Sequence, residues 1–224
     1  MSTLFVVSTP IGNLADISYR ALEILRKVDL ILCEDTRVVK KLLFHYQIQK
    51  PLLSYHQHSK LQKVNYIISL LEQGKNLALV SDAGTPGLSD PGNKLIKEIV
   101  DKLKENVKIV PVPGPSALTC AVSISGFPMD RFLFLGFLPK KKKRNKFLEQ
   151  IIESNYPVIF YESPYRIVKT LNDLVKLNKE LEIVVCRELT KKFERIYRGK
   201  IEEVLEKMLK DKIKGEFVVI VGKQ

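Results

Sequence analysis

The chain has 224 residues, is 45% hydrophobic and 28% charged, and carries a formal net charge of +12. That length and apolar content suit one large or two small globular domains and exclude an extended disordered chain. No apolar run approaches the ~20 residues of a membrane-spanning helix. The N-terminus M-S-T-L-F-V-V-S-T-P has neither a basic lead-in nor a cleavage site, so a soluble, cytoplasmic protein with no membrane partner is expected.

Short apolar runs alternate with helical periodicity from the start. Leu4–Val7 reads as a strand, 18–27 as a helix, Leu30–Cys33 as a strand and 36–46 as a helix. The alternation continues with a strand at 52–55, a helix over 59–73, a strand at 76–81, a helix over 91–105 and a strand at Val107–Val110. Strands buried on both faces by crossover helices read as unbroken apolar runs, so a mostly parallel sheet is predicted. At P-V-P-G-P-S (111–116) three prolines and a glycine argue against regular structure, which places a domain joint near residue 112.

Beyond the joint come a short helix from Ser116, a strand at 131–135, a lysine-rich connection, a helix over 145–154 and a strand at 157–161. A helix over 163–177, strands at 183–187 and 196–198, a helix over 201–210 and a strand at 216–221 complete the chain. The prediction is therefore two α/β domains, 1–112 and 113–224. The basic excess falls mostly in the second, which carries +8 against +4.

In open α/β sheets ligands bind beyond the carboxyl ends of the strands. Three loops there are rich in glycine and proline: S-T-P-I-G-N after the first strand, S-D-A-G-T-P-G-L-S-D-P-G (81–92) after the fourth and V-P-G-P-S-A (112–117) after the fifth. They read either as tight turns or as a preformed cradle into which a ligand approaches the backbone. Asp82, nearest its strand end, is the functional candidate, whereas Asp90 before Pro91 suits a helix N-cap. No G-x-G-x-x-G follows the first strand and no P-loop motif occurs, which disfavours the ordinary nucleotide sites. Charged clusters C-E-D-T-R (33–37), Y-E-S-P-Y-R (161–166) and C-R-E-L-T-K-K-F-E (186–194) also sit at strand ends, either as capping segments or as substrate contacts. Cys33, Cys120 and Cys186 read as reduced core thiols, and the His56/His58 pair lacks further ligands, so no metal is expected.

Taken in order, these motifs, with S-T-P-I-G-N-L-A-D-I-S-Y-R-A (8–21), G-F-L-P (136–139) and the terminal G-E-F-V-V-I-V-G (215–222), resemble the ribosomal RNA small-subunit methyltransferase I family of the tetrapyrrole-methylase-like superfamily. The resemblance spans nearly the whole chain. It implies a two-domain α/β fold with a ligand cleft between the domains, a mostly parallel first sheet and a mixed second one, and a homodimer. It also implies S-adenosylmethionine as cofactor and methylation of the ribose 2′-oxygen of a cytidine in the decoding region of 16S ribosomal RNA. Carried over by motif, the cofactor residues are Thr9, Pro10, Asp82, Ala83, Gly84, Pro86, Ser89, Pro113, Gly114, Ser116, Ala117, Gly136, Gly215 and Glu216.

Methyl transfer from an activated donor requires an aligned acceptor, loss of a hydroxyl proton and exclusion of water. Candidate bases or orienting groups are Glu34, Asp35, Glu162 and Glu188, with Arg37, Arg166 and Arg187 available for phosphates or the hydroxyl. Candidate contacts to 16S ribosomal RNA, or to the small ribosomal subunit, are Lys140, Lys141, Lys142, Lys143, Arg144, Arg166, Lys191 and Lys192, with Arg195 and Arg198 beside the last two. The alternatives are a small-molecule methylase of the tetrapyrrole type, which the basic clusters oppose, and an RNA-binding module without catalysis, which the intact loops oppose. Longer relatives of the resembling family continue past the second domain, whereas this sequence stops at V-G-K-Q.

Overall fold

The apolar runs of the first half form five strands joined by helices. In the computed structural model, which describes residues 1–56, 59–90 and 92–223, these are β1 (Ser2–Val7), α1 (Tyr19–Lys27), β2 (Leu30–Cys33), α2 (Thr36–His45), β3 (Leu52–Ser54), α3 (Leu61–Glu72), β4 (Leu77–Val80), α4 (Gly92–Leu103) and β5 (Val107–Val112). Their order is β3-β2-β4-β1-β5, parallel throughout. From β1 to β3 the chain moves one way across the sheet, and from β3 to β5 it moves back. Right-handed crossovers then place α1 and α2 on one face and α3 and α4 on the other. The cores agree: Leu77 and Leu79 pack with Ile67, Leu95 and Ile99, while Ala78 and Val80 face Ala21, Leu25 and Leu43.

The second half builds α5 (Ala117–Ser125), β6 (Leu133–Phe137), α6 (Arg144–Glu153), β7 (Val158–Glu162), α7 (Ile167–Leu177), β8 (Glu182–Arg187), β9 (Arg195–Lys200), α8 (Ile201–Leu209) and β10 (Phe217–Val221). Its sheet order is β6-β7-β10-β8-β9; β6 runs parallel to β7 and the remaining pairs are antiparallel. One face packs Phe160, Ile183, Phe217 and Val219 against Leu148, Leu171, Leu174 and Val204 of α6, α7 and α8. Residues of the opposite alternation, Ile159, Val184, Val218 and Ile220, are buried too, with α5 against β10. The chain divides into two compact units, Met1–Ser116 and Ala117–Gln224. No helix of the described residues is long and apolar enough to cross a membrane.

Two local expectations need correction. Regular structure persists through Pro111, because β5 is an edge strand and its proline leaves no ladder bond unmade. The helix expected from Ser163 begins instead at Ile167, with 163–166 forming a turn in which the Arg166 side chain folds back on Ser163. His58 and Pro91 lie outside the described residues.

Candidate functional site

A parallel sheet delivers the carboxyl ends of its strands to one edge, and in the first unit the loops leaving β1, β4 and β5 are joined there. Thr9 and Gly84 exchange backbone hydrogen bonds of 2.9 and 3.0 Å. The Thr9 hydroxyl donates to the Ser81 carbonyl at 3.1 Å, and the Ser81 hydroxyl to the Gly84 carbonyl at 3.1 Å. Thr85 donates to the Pro115 carbonyl at 3.2 Å. Its single proton is then committed, so the 3.0 Å contact between Ser8 and Thr85 has Ser8 as donor. A Cβ on Gly114 would stand 3.0 Å from the Ser8 Cβ, so a side chain there would push the β5 and β1 loops a few tenths of an ångström apart. Thr9, Pro10, Gly84, Pro86 and Ser116 are buried; Ala83, Ser89, Pro113 and Gly114 are exposed.

Half-buried Asp82 accepts the Asp35 backbone N–H at 3.0 Å, which ties the β4 loop to the end of β2. Asp35 caps α2, accepting the Arg37 N–H at 2.8 Å, and its carboxylate also meets the exposed Arg37 guanidinium at 2.6 Å. Those bonds from Arg37, side chain first and backbone second, hold the Asp35 carboxyl down at about 2. Glu34 is exposed, and its carboxyl is raised by partial burial and then by the charges of Asp82 and Asp90. Asp90 accepts the N–H groups of Gly87 and Gly92 at 2.8 Å, closing the long β4 loop at the start of α4. Buried Cys33 and Cys186 are pushed up to about 11, chiefly by burial, and stay protonated at neutral pH.

The second unit uses charge. The strand register aligns Glu162, Phe217, Arg187 and Arg195 in one row at a sheet edge. Glu162 is fully buried: Oε1 accepts the Ser163 N–H at 2.8 Å and meets Arg166 at 2.7 Å, while Oε2 accepts the Thr170 hydroxyl at 2.8 Å. Arg166 goes on to donate to the Leu138 carbonyl at 2.7 Å. Arg144, expected among the exposed lysines, is buried instead, its Nη2 donating to Thr170 at 3.0 Å and Asp173 at 3.1 Å. One carboxylate thus pins both ends of the 138–144 loop, through Arg166 at Leu138 and through Thr170 at Arg144. Gly136 lies just before, where β6 bulges between Phe134 and Phe137.

Glu188 and Glu216 meet across the same edge. Glu188 Oε1 accepts the Glu216 N–H at 2.9 Å and Lys191 Nζ at 2.8 Å, and Lys191 reaches Glu216 Oε2 at 3.0 Å. Burial pushes the Glu188 carboxyl up, but Lys191 and the Glu216 amide outweigh it and the net shift is downward. Gly215, at φ +87°, has no space for a side chain, since a Cβ would fall 2.2 Å from Glu188 Cδ. Buried Arg187 donates to the Lys214 carbonyl at 2.9 Å and fixes the loop before Gly215.

Lys140, Lys141, Lys142, Lys143 and Lys192 are exposed. The motif reading missed three aromatic residues of this edge: Phe137 is 51% exposed, Tyr165 94% and Phe193 66%. Tyr165 and Phe193 carried a signal, since each lies in a polar strand-end motif, whereas Phe137 sits in the apolar run 132–138 and carried none.

Residues 3–205 match the tetrapyrrole (corrin/porphyrin) methylases. A Thermotoga maritima protein named ribosomal RNA small subunit methyltransferase I is 45% identical over 222 residues, spanning 99% of both chains. A protein of the same name from Mycoplasmopsis pulmonis is 47% identical over 98% of this chain and 97% of its own. Its Bacillus subtilis namesake is 45% identical, and there this chain spans 75% of the relative. Among solved structures, a diphthine synthase superposes with a TM-score of 0.75 at 16% identity, covering 100% of this chain and 91% of that one. A cobalt precorrin-4 methyltransferase gives 0.71 at 17%, covering 98% and 94%. Identities so low speak for the fold alone, but near-full-length identity of 45% does more: the chain belongs to the ribosomal RNA small subunit methyltransferase I family of the tetrapyrrole methylases.

Proposed function

We propose that this protein methylates the ribose 2′-oxygen of a cytidine in the decoding region of 16S ribosomal RNA, using S-adenosylmethionine, and acts in the cytoplasm as a homodimer. The observation that carries the reading is the joined loop edge of the first sheet in a chain whose near-full-length relatives bear a ribosomal RNA methyltransferase name. The basic excess and the exposed lysine loop supply the charge that an RNA acceptor needs.

The cofactor suits these residues. Gly114 allows a close approach between main chains, and the hydroxyls of Thr9, Ser81 and Thr85 donate to main-chain carbonyls of these loops while Ser8 donates to Thr85, which leaves a rigid floor for a small polar ligand. We assign its binding to Thr9, Pro10, Asp82, Ala83, Gly84, Pro86, Ser89, Pro113, Gly114, Ser116, Ala117, Gly136, Gly215 and Glu216. Bound S-adenosylmethionine supplies an activated methyl group on a sulfonium. The protein must then align the ribose and take up its proton. Asp35 is engaged by Arg37, Glu162 has both oxygens bonded and Glu188 is held by Lys191 and the Glu216 amide, whereas Glu34 is exposed; this favours Glu34 as the base.

The test is transfer of a labelled methyl group to undermethylated small ribosomal subunits, to the naked RNA extracted from them and to a tetrapyrrole. Label recovered as 2′-O-methylcytidine supports the proposal. Label confined to the tetrapyrrole, or placed on a base carbon, overturns it.

A further inference from the structure

Three exposed aromatic residues lie on loops at one edge of the second sheet, where β6, β7 and β8 end: Phe137 closes β6, Tyr165 sits in the turn after β7 and Phe193 in the connection from β8 to β9. Strands β6 and β9 are four positions apart, on the order of 19 Å at the usual strand spacing. Such rings are costly to leave in water, and here each is carried by a pinned backbone. Arg166 ties the Tyr165 turn, held by Glu162 and Ser163, to the Leu138 carbonyl directly after Phe137. Phe137 also rests edge-on against Tyr161, with centroids 5.4 Å apart. The Phe193 loop is closed by Glu194 accepting the Thr190 N–H at 2.6 Å and by Lys191 on Glu188 and Glu216.

Cations flank the rings. Lys140, Lys141, Lys142 and Lys143 follow Phe137, and among the described residues none of them forms an ion pair. Lys192 Nζ lies 5.7 Å from the centre of the Phe193 ring. Aromatic faces interleaved with unneutralised lysines match a strand whose bases are unpaired, because only an unpaired base offers its face while its phosphate remains within reach. Duplex RNA hides those faces and needs only the charges.

We propose that this edge binds a single-stranded RNA segment, with Tyr165 and Phe193 as stacking platforms, Phe137 as a third, and Lys140–Lys143 and Lys192 on the phosphates. The proposal deepens the functional reading above and rests on it for the identity of the substrate. Because the loops are fixed before binding, little ordering is needed when the bases arrive.

The experiment measures binding of the full chain to a fluorescent unstructured oligoribonucleotide and to an A-form duplex of equal length, at several salt concentrations. The expectation is preference for the single strand. Tyr165→Ala and Phe193→Ala should each weaken it by roughly 5- to 150-fold, the range that ~1–3 kcal/mol per stacked base implies, with the salt slope unchanged. Tyr165→Phe should restore affinity, and exchanging Lys140–Lys143 for glutamine should flatten the slope. Both rings are largely exposed, so these variants keep the fold. Equal binding of the duplex, or wild-type affinity in the doubly substituted protein, overturns the proposal. Methyl transfer to ribosomal subunits, run in parallel, separates the two readings: transfer without ring dependence removes the platform, and ring-dependent binding without transfer removes the enzymatic assignment.

Discussion

The edge of the first sheet is held together mainly by neutral groups, with the Asp82 and Asp90 carboxylates bonded to backbone amides, and that of the second by paired charges. In the first, serine and threonine hydroxyls and main-chain amides link the β1, β4 and β5 loops. In the second, Glu162, Arg166, Arg144 and Asp173 form one ionic cluster, and Glu188, Lys191 and Glu216 form another. Sheet topology accounts for the difference. Parallel strands bring all their carboxyl ends to one edge, so successive loops lie side by side and short bonds suffice. In the mixed sheet β10 and β9 begin where β8 and β7 end, so loops arrive from opposite directions and long side chains bridge them.

The contrast is sharpest at Glu162. Its replacement by alanine leaves Arg166 and Thr170 without their carboxylate, and unfolding stability should fall by about 3–5 kcal/mol, the cost of breaking a buried pair. Glu162→Gln keeps an acceptor and should fall by less. Urea unfolding of both variants checks this, and a loss below 1 kcal/mol in the alanine variant would mean that the loops hold themselves. Gly215→Ala comes next, at roughly 2–3 kcal/mol, because a positive φ with a side chain is strained and Glu188 must be driven off Lys191. An additional Glu188→Ala exchange should recover part of that loss by removing the clash. In the neutral edge, Thr85→Val strands the Ser8 hydroxyl and the Pro115 carbonyl, for about 1–2 kcal/mol. It should also lower affinity for S-adenosylmethionine in calorimetric titration, and unchanged affinity would place the cofactor loops elsewhere.

The strands and helices were readable because their apolar periodicity is strong and their caps are explicit, as with Ser18 and Asp35. Pro111 misled because a proline's effect depends on whether its strand is an edge, which pairing decides and sequence does not. The strand-end motifs identified the loops at both edges, but not what each charge does there. Arg144 belongs by spacing to the lysine run, yet it is turned inward by Thr170 and Asp173, which lie 26 and 29 residues away. Glu162 reads as a catalytic carboxylate by its motif and is buried by a strand register that only the folded sheet creates. Tyr165 and Phe193 are marked by the polar motifs that carry them, but Phe137 ends an apolar run that reads as core strand, and only the folded sheet shows its ring exposed.

The smallest effect expected is also the cleanest comparison of the two edges in acid. Asp35 titrates near 3.8 when unperturbed and at about 2 in the folded protein. Its contribution to stability is therefore complete above about pH 4 and is lost as the pH falls towards 2, since in that range the unfolded state takes up a proton that the folded state binds only weakly. Because Arg37 is exposed, the effect is screened and small. Asp35→Asn preserves a capping side chain while removing the titration, so thermal stability should change little at pH 2 and fall slightly at pH 6. Glu188, lowered by Lys191 and the Glu216 amide against its burial, follows the same sign in the second unit. Glu188→Gln should likewise flatten the acid limb below its ordinary value of 4.5. If melting curves between pH 2 and 6 keep the wild-type slope in Asp35→Asn but lose it in Glu188→Gln, acid sensitivity resides in the charged edge alone and the neutral edge owes nothing to its one exposed ion pair.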